Sequence, residues 1–222
     1  TRKYKEPNPE LTYKGVGFVA NESEKDLSAL PVLSTTALEN SKPGEYPITI
    51  TGANSSNYEI EYLQGTLTIE KADQQITWNQ GFDGTTVDSE IALVATASSE
   101  GQVSFSSSDE SIAQIINRNG MYWLKTLKEG EVTITAYQEG TDCYEAAKPV
   151  SKTFVVKPVV ATGISLNYSK LSLNVGGEIA LTANVQPENT SNKAVVWTTS
   201  NEAIATVENG NVIIKPEGWL DT

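Results

Sequence analysis

The chain contains no histidine. It therefore lacks both the usual general base near neutral pH and the commonest metal ligand. It has a single cysteine, Cys143. No internal disulfide can form, and cysteine usage points to no redox compartment. A nucleophilic Cys143 would need a basic partner that the composition does not supply, so it reads as a half-buried bystander. Basic residues are scarce, with 16 Lys and Arg against 28 Asp and Glu and a net charge of −12. They are scattered, without the cluster that phosphate binding requires, so no nucleic-acid partner is expected. An anionic membrane surface is disfavoured for the same reason, and the acidity reads as a solubilising surface. No run approaches the roughly 18 apolar residues needed to span a bilayer, so no membrane insertion is expected within this segment. The chain opens Thr1-Arg2-Lys3-Tyr4 with no charged-then-apolar leader, and it reads as a mature or excised piece of something longer.

What the chain does contain is one segment written twice. Glu90-Ile91-Ala92-Leu93-Val94-Ala95 returns as Glu178-Ile179-Ala180-Leu181-Thr182-Ala183. Phe105-Ser106-Ser107-Ser108-Asp109-Glu110-Ser111-Ile112-Ala113 returns as Trp197-Thr198-Thr199-Ser200-Asn201-Glu202-Ala203-Ile204-Ala205. A spacing of about 90 residues exceeds the 20–50 of a solenoid unit. It matches one small β-sandwich.

Apolar and polar residues alternate with the strand period. Tyr46, Ile48 and Ile50 do so, as do Leu67 and Ile69, and Val132, Ile134 and Ala136. Thr, Val, Ile and Ser fill these stretches, as a pleated, half-buried surface favours. Turn signals recur, among them Asn119-Gly120 and Asn209-Gly210, which suit two-residue hairpins because both positions tolerate positive φ. One short helix is predicted over Asn21–Leu30, with Asn21 and Ser23 as caps and Pro31 as its stop.

The expected organisation is a first module at 1–71, a second at 72–157 and a third at 158–222. The polar joint Ala72-Asp73-Gln74 and the joint Lys157–Gly163 hold little Gly or Ser and should be semi-rigid. Trp78 is expected to pack at the first joint. Three such modules would reach about 100 Å, from strands of 5–10 residues at about 3.3 Å each. The third module has only Trp219-Leu220-Asp221-Thr222 after Pro216-Glu217-Gly218, where the second continues into two more strands. It is therefore expected to lack its final strand or strands. Either this is a fragment boundary, or Trp219 and Leu220 plug the gap at a natural chain end, or an open sheet edge accepts a partner strand.

Residues Val159–Gly218 resemble the bacterial Ig-like group 2 modules of surface proteins. The likeness is carried by Ile164-Ser165-Leu166-Asn167, Leu171-Ser172-Leu173-Asn174-Val175-Gly176-Gly177-Glu178, Val196-Trp197-Thr198-Thr199-Ser200-Asn201 and Ile204-Ala205-Thr206-Val207. Residues 73–157 look like a divergent relative. The resemblance implies a core aromatic at Trp197, with Phe105 in its place in the second module. The first module resembles the MBG-type repeats of bacterial surface proteins through Tyr4, Leu11-Thr12-Tyr13, Tyr46-Pro47-Ile48, Asn57-Tyr58 and Gly65-Thr66-Leu67-Thr68-Ile69. It departs from them at Lys5, where that family usually has Gly. That likeness implies a β-grasp-like fold. Together the resemblances imply an extracellular or bacterial cell-surface location and structural or adhesive work, with no catalytic motif.

The expected fold is thus mostly β, a β-grasp-like module with one short helix followed by two Ig-like sandwiches. The expected role is a non-catalytic spacer or adhesion segment. The alternative is a glycan-binding module of a polysaccharide-utilising surface system. No catalytic residue, metal ligand or cofactor is assigned. The acids Asp83, Asp88, Asp109, Glu110, Glu188 and Glu202 fall in predicted turns, where carboxylates bond to the backbone. Asp109-Glu110 or Glu188-Asn189 would hold at most a weak calcium ion. Among the aromatics, Tyr4, Tyr13, Tyr46, Tyr58 and Tyr62 crowd the first module, and at least three of them are expected in its core. The candidate ligand contacts are Tyr122 and Trp123, because neighbours on a strand face opposite ways and one must point outward. An extracellular glycan or protein ligand and a monomeric chain are the expected partner and state.

Overall fold

The computed structural model describes residues 1–19 and 21–216. These residues are β-structure connected by turns and extended segments. They pack as two compact units. The first comprises Thr1–Asn79, Val94–Phe105 and Thr135–Ser151, and the second Gln80–Leu93, Ser106–Ile134 and the chain from Lys152 onward.

Near the N-terminus, β1 (Arg2–Lys3), β2 (Val32–Thr35), β3 (Gly44–Thr51) and β4 (Gly65–Glu70) form one sheet in the order β1-β4-β3-β2. β1 runs parallel to β4, and the other pairs are antiparallel. The alternation of β4 buries Leu67 and Ile69 together with Ala37, and Tyr4, Tyr46 and Ile48 pack against them. Arg2 is buried here. Its guanidinium donates to Asn8 Oδ1 and to the carbonyls of Lys3, Leu38 and Glu39. These bonds offset the cost of burying a charge.

The helix expected at Asn21–Leu30 is reduced to a single 3-10 turn, Glu24–Asp26. Its start follows the sequence: Ser23 and Asp26 form a reciprocal capping box. Its continuation fails because the backbone is drawn into sheet-like bonding. Leu27 is already extended at φ −69°, ψ 140°, and Ala29 forms an antiparallel bridge with Asn54.

The next strands are β5 (Ile76–Thr77), β6 (Glu90–Leu93), β7 (Thr96–Ala97), β8 (Ser104–Ser107), β9 (Ala113–Arg118), β10 (Met121–Thr126), β11 (Gly130–Tyr137) and β12 (Val150–Val156). They make the sheets β5-β7, β6-β10-β9 and β12-β11-β8. Val132, Ile134 and Ala136 of β11 and Val156 of β12 are almost wholly buried, as are Ala113 and Leu124. Trp78 is also buried, edge-on to Phe105 at 5.3 Å. It is therefore a core residue rather than the joint residue its position suggested. It lies in phase with buried Ile76 two residues before it, and alternation turns both inward.

Then come β13 (Gly163–Leu166), β14 (Glu178–Ala180), β15 (Ala183–Gln186), β16 (Ala205–Glu208) and β17 (Asn211–Ile214). They pair as β13-β15 and β14-β17-β16. This reproduces β5-β7 and β6-β10-β9 in the same chain order. The counterpart of β12-β11-β8 is absent among the described residues. Val195–Thr199, which correspond in sequence to Val103–Ser107, form no strand. A strand needs a neighbour for its backbone groups, and β8 finds one in β11. Trp197 accordingly is half-buried rather than a core residue like Phe105, and Val196 is 88% exposed. Trp219 and Leu220 lie outside the described residues.

Both joints read from the sequence lie inside a compact unit. At the first, Ala72 N–H donates to the Cys143 carbonyl and Glu145 N–H to the Ala72 carbonyl, each at 2.9 Å. Lys3 pairs with Asp73, and Tyr4 meets Tyr144 edge-on. Buried Gln74 donates through Nε2 to Gln138 Oε1 and to the Glu145 carbonyl, and its Oε1 accepts from Ser99. At the second, Lys157 N–H donates to Thr85 O and Val87 N–H to Lys157 O, while Ser191 N–H donates to Val159 O.

Candidate binding surface

The β9–β10 hairpin turns on Asn119 and Gly120, both at positive φ (54° and 86°), as a two-residue hairpin favours. Alternation along β10 places Tyr122 in phase with Leu124 and Thr126, both fully buried. Tyr122 is therefore turned inward, opposite Leu93. Trp123 belongs to the outer face with Met121, which is 64% exposed, and Lys125. Ala92 flanks it on β6 and Ile116 on β9. The Arg118 guanidinium lies over its ring, 5.5 Å from the centroid, and pairs with Glu90. Of the two aromatics that sequence singles out, only Trp123 lies on the solvent-side face, half-buried and with its ring oriented by Arg118.

Register shows what is particular to this hairpin. Leu124 lies opposite Ile91, and Val212 opposite the repeat-equivalent Ile179. Thr126 lies opposite Ala113, and Ile214 opposite Ala205. Trp123 thus occupies the place of Asn211, and Tyr122 that of Gly210. Asn117, Arg118, Met121 and the turn between them extend the hairpin beyond what β16 and β17 reach. The same three-stranded sheet forms without a tryptophan, an arginine or the added length. The fold does not require them.

A second concave surface lies in the first unit. Extended segments around Tyr13–Phe18 and Tyr58–Leu63 stand over the sheet residues Leu33, Ile48 and Ile50 and border a cleft of about 450 Å³. Its aromatic lining is Tyr13, Phe18, Tyr58 and Tyr62. Phe18 and Tyr58 meet edge-on at 5.4 Å. The Tyr58 hydroxyl donates to Glu22 and accepts from Val19 N–H, and the Glu22 carboxylate raises its pKa. Glu24 accepts from Gly15 N–H at 3.0 Å, which lowers its pKa and keeps it ionised. Two of the five tyrosines, Tyr4 and Tyr46, pack on the core. The other three line this cleft, against the expectation of at least three in the core. The residues opposite them are loop segments rather than a helix, so this side of the sheet stays partly open.

The acidic candidates hold turns. Asp109 Oδ1 accepts from Ser111 N–H at 2.8 Å and from the Ser111 hydroxyl. These bonds lower the Asp109 pKa. In the later repeat Asn201 Oδ1 accepts from Ala203 N–H in the same way. An amide there does the carboxylate's work, so charge is dispensable at this position. Asp88 sits at positive φ in the turn before β6. Among the described residues no three His, Cys, Asp or Glu side chains cluster closely enough to hold a metal ion. Cys143 is half-buried beside the first joint. Among the described residues no helix is long and apolar enough to cross a membrane.

Sheet order and repeat define a chain of serial β modules. Comparison with known proteins finds family likenesses in two stretches of the chain. Residues 1–68 match the MBG domain (YGX type), and residues 160–215 match the bacterial Ig-like domain (group 2). The chain is 33% identical over 105 residues to an Ig-like virion protein of Serratia phage KSP90, covering 47% of this chain and 39% of that protein. It is 33% identical over 153 residues to an uncharacterized protein of Clostridium acetobutylicum, covering 68% of this chain and 14% of that protein. The chain thus spans well under half the length of either relative. Among solved structures, the cadherin domains 3–6 of protocadherin gamma B2 align over 78% of this chain and 48% of theirs, at 13% identity and TM-score 0.33. The S-layer protein rSbsC aligns over 90% of this chain and 32% of its own, at 13% identity and TM-score 0.27. At these scores the likeness is loose.

Proposed function

We propose that the chain is a non-catalytic spacer and adhesion segment of a bacterial cell-surface or secreted multidomain protein, with modules at 1–71, 72–157 and 158–222. The observation that carries this reading is the Trp123 face of the β9–β10 hairpin. It is an elaboration that its own repeat lacks, and it displays Met121, Trp123 and Arg118. Tryptophan and arginine are the residues that most often anchor protein interfaces. The Lys3–Asp73 ion pair and the Tyr4–Tyr144 ring contact link the first module to the second and support the spacing role. The two matched families and the name of the phage relative support a surface or extracellular setting.

The test is an array of extracellular glycans and proteins probed with the whole chain. A reproducible hit that Trp123→Ala reduces at least tenfold, with the melting temperature kept, is the expected result. No hit, or a hit indifferent to Trp123→Ala and Arg118→Ala, removes the adhesive half of the proposal.

A second reading, a glycan-binding module, is favoured by the cleft of the first unit. Aromatic faces beside carboxylates suit a sugar, which has an apolar face and hydroxyl donors. A glycan hit lost on Tyr62→Ala but kept in Trp123→Ala selects this reading over the first.

A further inference from the structure

The register of β6-β10-β9 shows where the Arg118–Glu90 ion pair runs. Arg118 on β9 lies opposite Met121, and Glu90 on β6 lies opposite Lys125. Trp123 stands midway between Met121 and Lys125 on the strand between them. A bond from Arg118 to Glu90 therefore crosses β10 on the diagonal, over Trp123. The contacts agree. The Arg118 guanidinium donates through Nη2 to Glu90 Oε1 and sits 5.5 Å from the indole centroid. The ion pair is a strap across the outward aromatic of this sheet.

A second cation stands at the far end of the strap. Lys125 faces Glu90 across the β6–β10 ladder, is exposed, and forms no ion pair among the described residues. Side chains directly opposed on antiparallel strands have Cβ atoms about 5 Å apart, so Lys125 is within reach of Glu90. Glu90 thus has two cations available, one over the ring and one beside it. The later repeat holds neither. There Glu178 lies opposite Ile213, and Asn211 stands in the place of Trp123. Trp123, Arg118 and Lys125 occur together in one repeat and are lacking together in the other, while the acid stays.

We propose that the strap gates the Trp123 surface: a carboxylate of a protein partner displaces Glu90 from Arg118, Glu90 passes to Lys125, and the indole is uncovered for apolar contact. This rests on the adhesive reading of that face. The outward neighbours of Trp123 are Ala92, Ile116 and Met121, with the charged groups outside them. An aromatic centre, an apolar surround and a charged rim on an open sheet face fit a protein surface. A small sugar would call for a concave site with polar groups beside the ring. The three strands present two cations and one anion around Trp123, in a chain of net charge −12, so an acidic partner complements this face. An exposed ion pair is worth at most about fivefold in an equilibrium constant. The strap is therefore strong enough to disfavour partners without a carboxylate and weak enough for a carboxylate to open.

The experiment reads the strap first without a partner. Acrylamide quenching of the whole chain is compared with that of Trp123→Phe, and the difference belongs to Trp123. Glu90→Gln should raise this quenching. Molar salt should raise it in the parent chain but not in Glu90→Gln, because salt screens exposed charges. Binding is then measured to two immobilised synthetic peptides, Leu-Val-Asp-Val-Leu and its asparagine twin Leu-Val-Asn-Val-Leu. Glu90→Gln should tighten the aspartate peptide by up to about fivefold. Arg118→Ala should abolish the preference for aspartate over asparagine. The two halves of one ion pair then act in opposite directions, which loss of a structural contact would not produce. Melting curves check that each variant folds. Equal Trp123 quenching in the parent chain and Glu90→Gln overturns the strap. Weaker binding in both variants makes the ion pair structural. Absence of binding to either peptide at millimolar concentration removes the acidic protein partner. A dimer that Trp123→Ala dissociates makes a second copy the occupant. Quenching needs no ligand, so the strap can fail while the adhesive reading stands, and the reverse.

Discussion

Leu124 and Trp123 are neighbours with opposite tasks. Leu124 is wholly buried between β6 and β9, and its truncation leaves a cavity in a close-packed interior. Leu124→Ala should cost roughly 2–5 kcal/mol in urea denaturation. Trp123→Ala gives up a half-buried ring and one cation–π contact and should cost about 1 kcal/mol. A reversed order would mean that the tryptophan is structural. Asp109 shows how a turn acid behaves. Its pKa is held down, first by the Ser111 hydroxyl and then by Ser111 N–H, so these bonds favour the ionised form. Their contribution to stability is complete above the ordinary carboxylate pKa and is lost as pH falls through the lower folded value. The melting-temperature difference between the parent chain and Asp109→Ala should therefore be present at pH 7 and shrink toward zero in strong acid. Asp109→Asn should resemble the parent chain at pH 7, because Asn201 already does this work in the later repeat.

At the scale of elements, the first joint behaves as part of the folded interior rather than as a tether. Gln74 is buried, and its side-chain amide bridges Ser99, Gln138 and the Glu145 carbonyl. Gln74→Ala leaves those groups to find new partners and should destabilise the first unit by about 1–3 kcal/mol, measured by chemical denaturation. A cost near zero would mean that water replaces the amide without loss. The hairpin turns, the alternating strands and the capping residue Ser23 are legible in sequence because each rests on local stereochemistry. The length of the helix is not. Leu27 and Leu30 have helical spacing, yet the Ala29–Asn54 bridge holds that stretch extended, and Asn54 lies too far along the chain for local spacing to reveal the contact. Tyr122 and Trp123 were recognisable as a pair facing two ways. Which one faces outward depended on the phase of Leu124 and Thr126 against the core.

At the scale of the molecule, burial is unevenly distributed. The buried apolar residues run from Ala37 to Val156, and the repeat beyond them leaves its apolar side chains half-buried or exposed. Amide hydrogens of β14, β16 and β17 should therefore exchange faster than those of β6, β9 and β10, because local opening is easiest where least apolar surface is buried. Equal protection in the two sheets would contradict this. Sequence by itself determined the serial β organisation, the repeat and its turns, since these follow from a period-two pattern and from residues that tolerate positive φ. It also marked Phe105 and Trp197 as equivalent. Only the tertiary structure decided that Phe105 is buried while Trp197 is half-open, that Trp78 belongs to a core, and that three tyrosines border a cleft. Side-chain burial depends on which distant strand lies opposite, and a residue carries no record of that neighbour in its own local pattern.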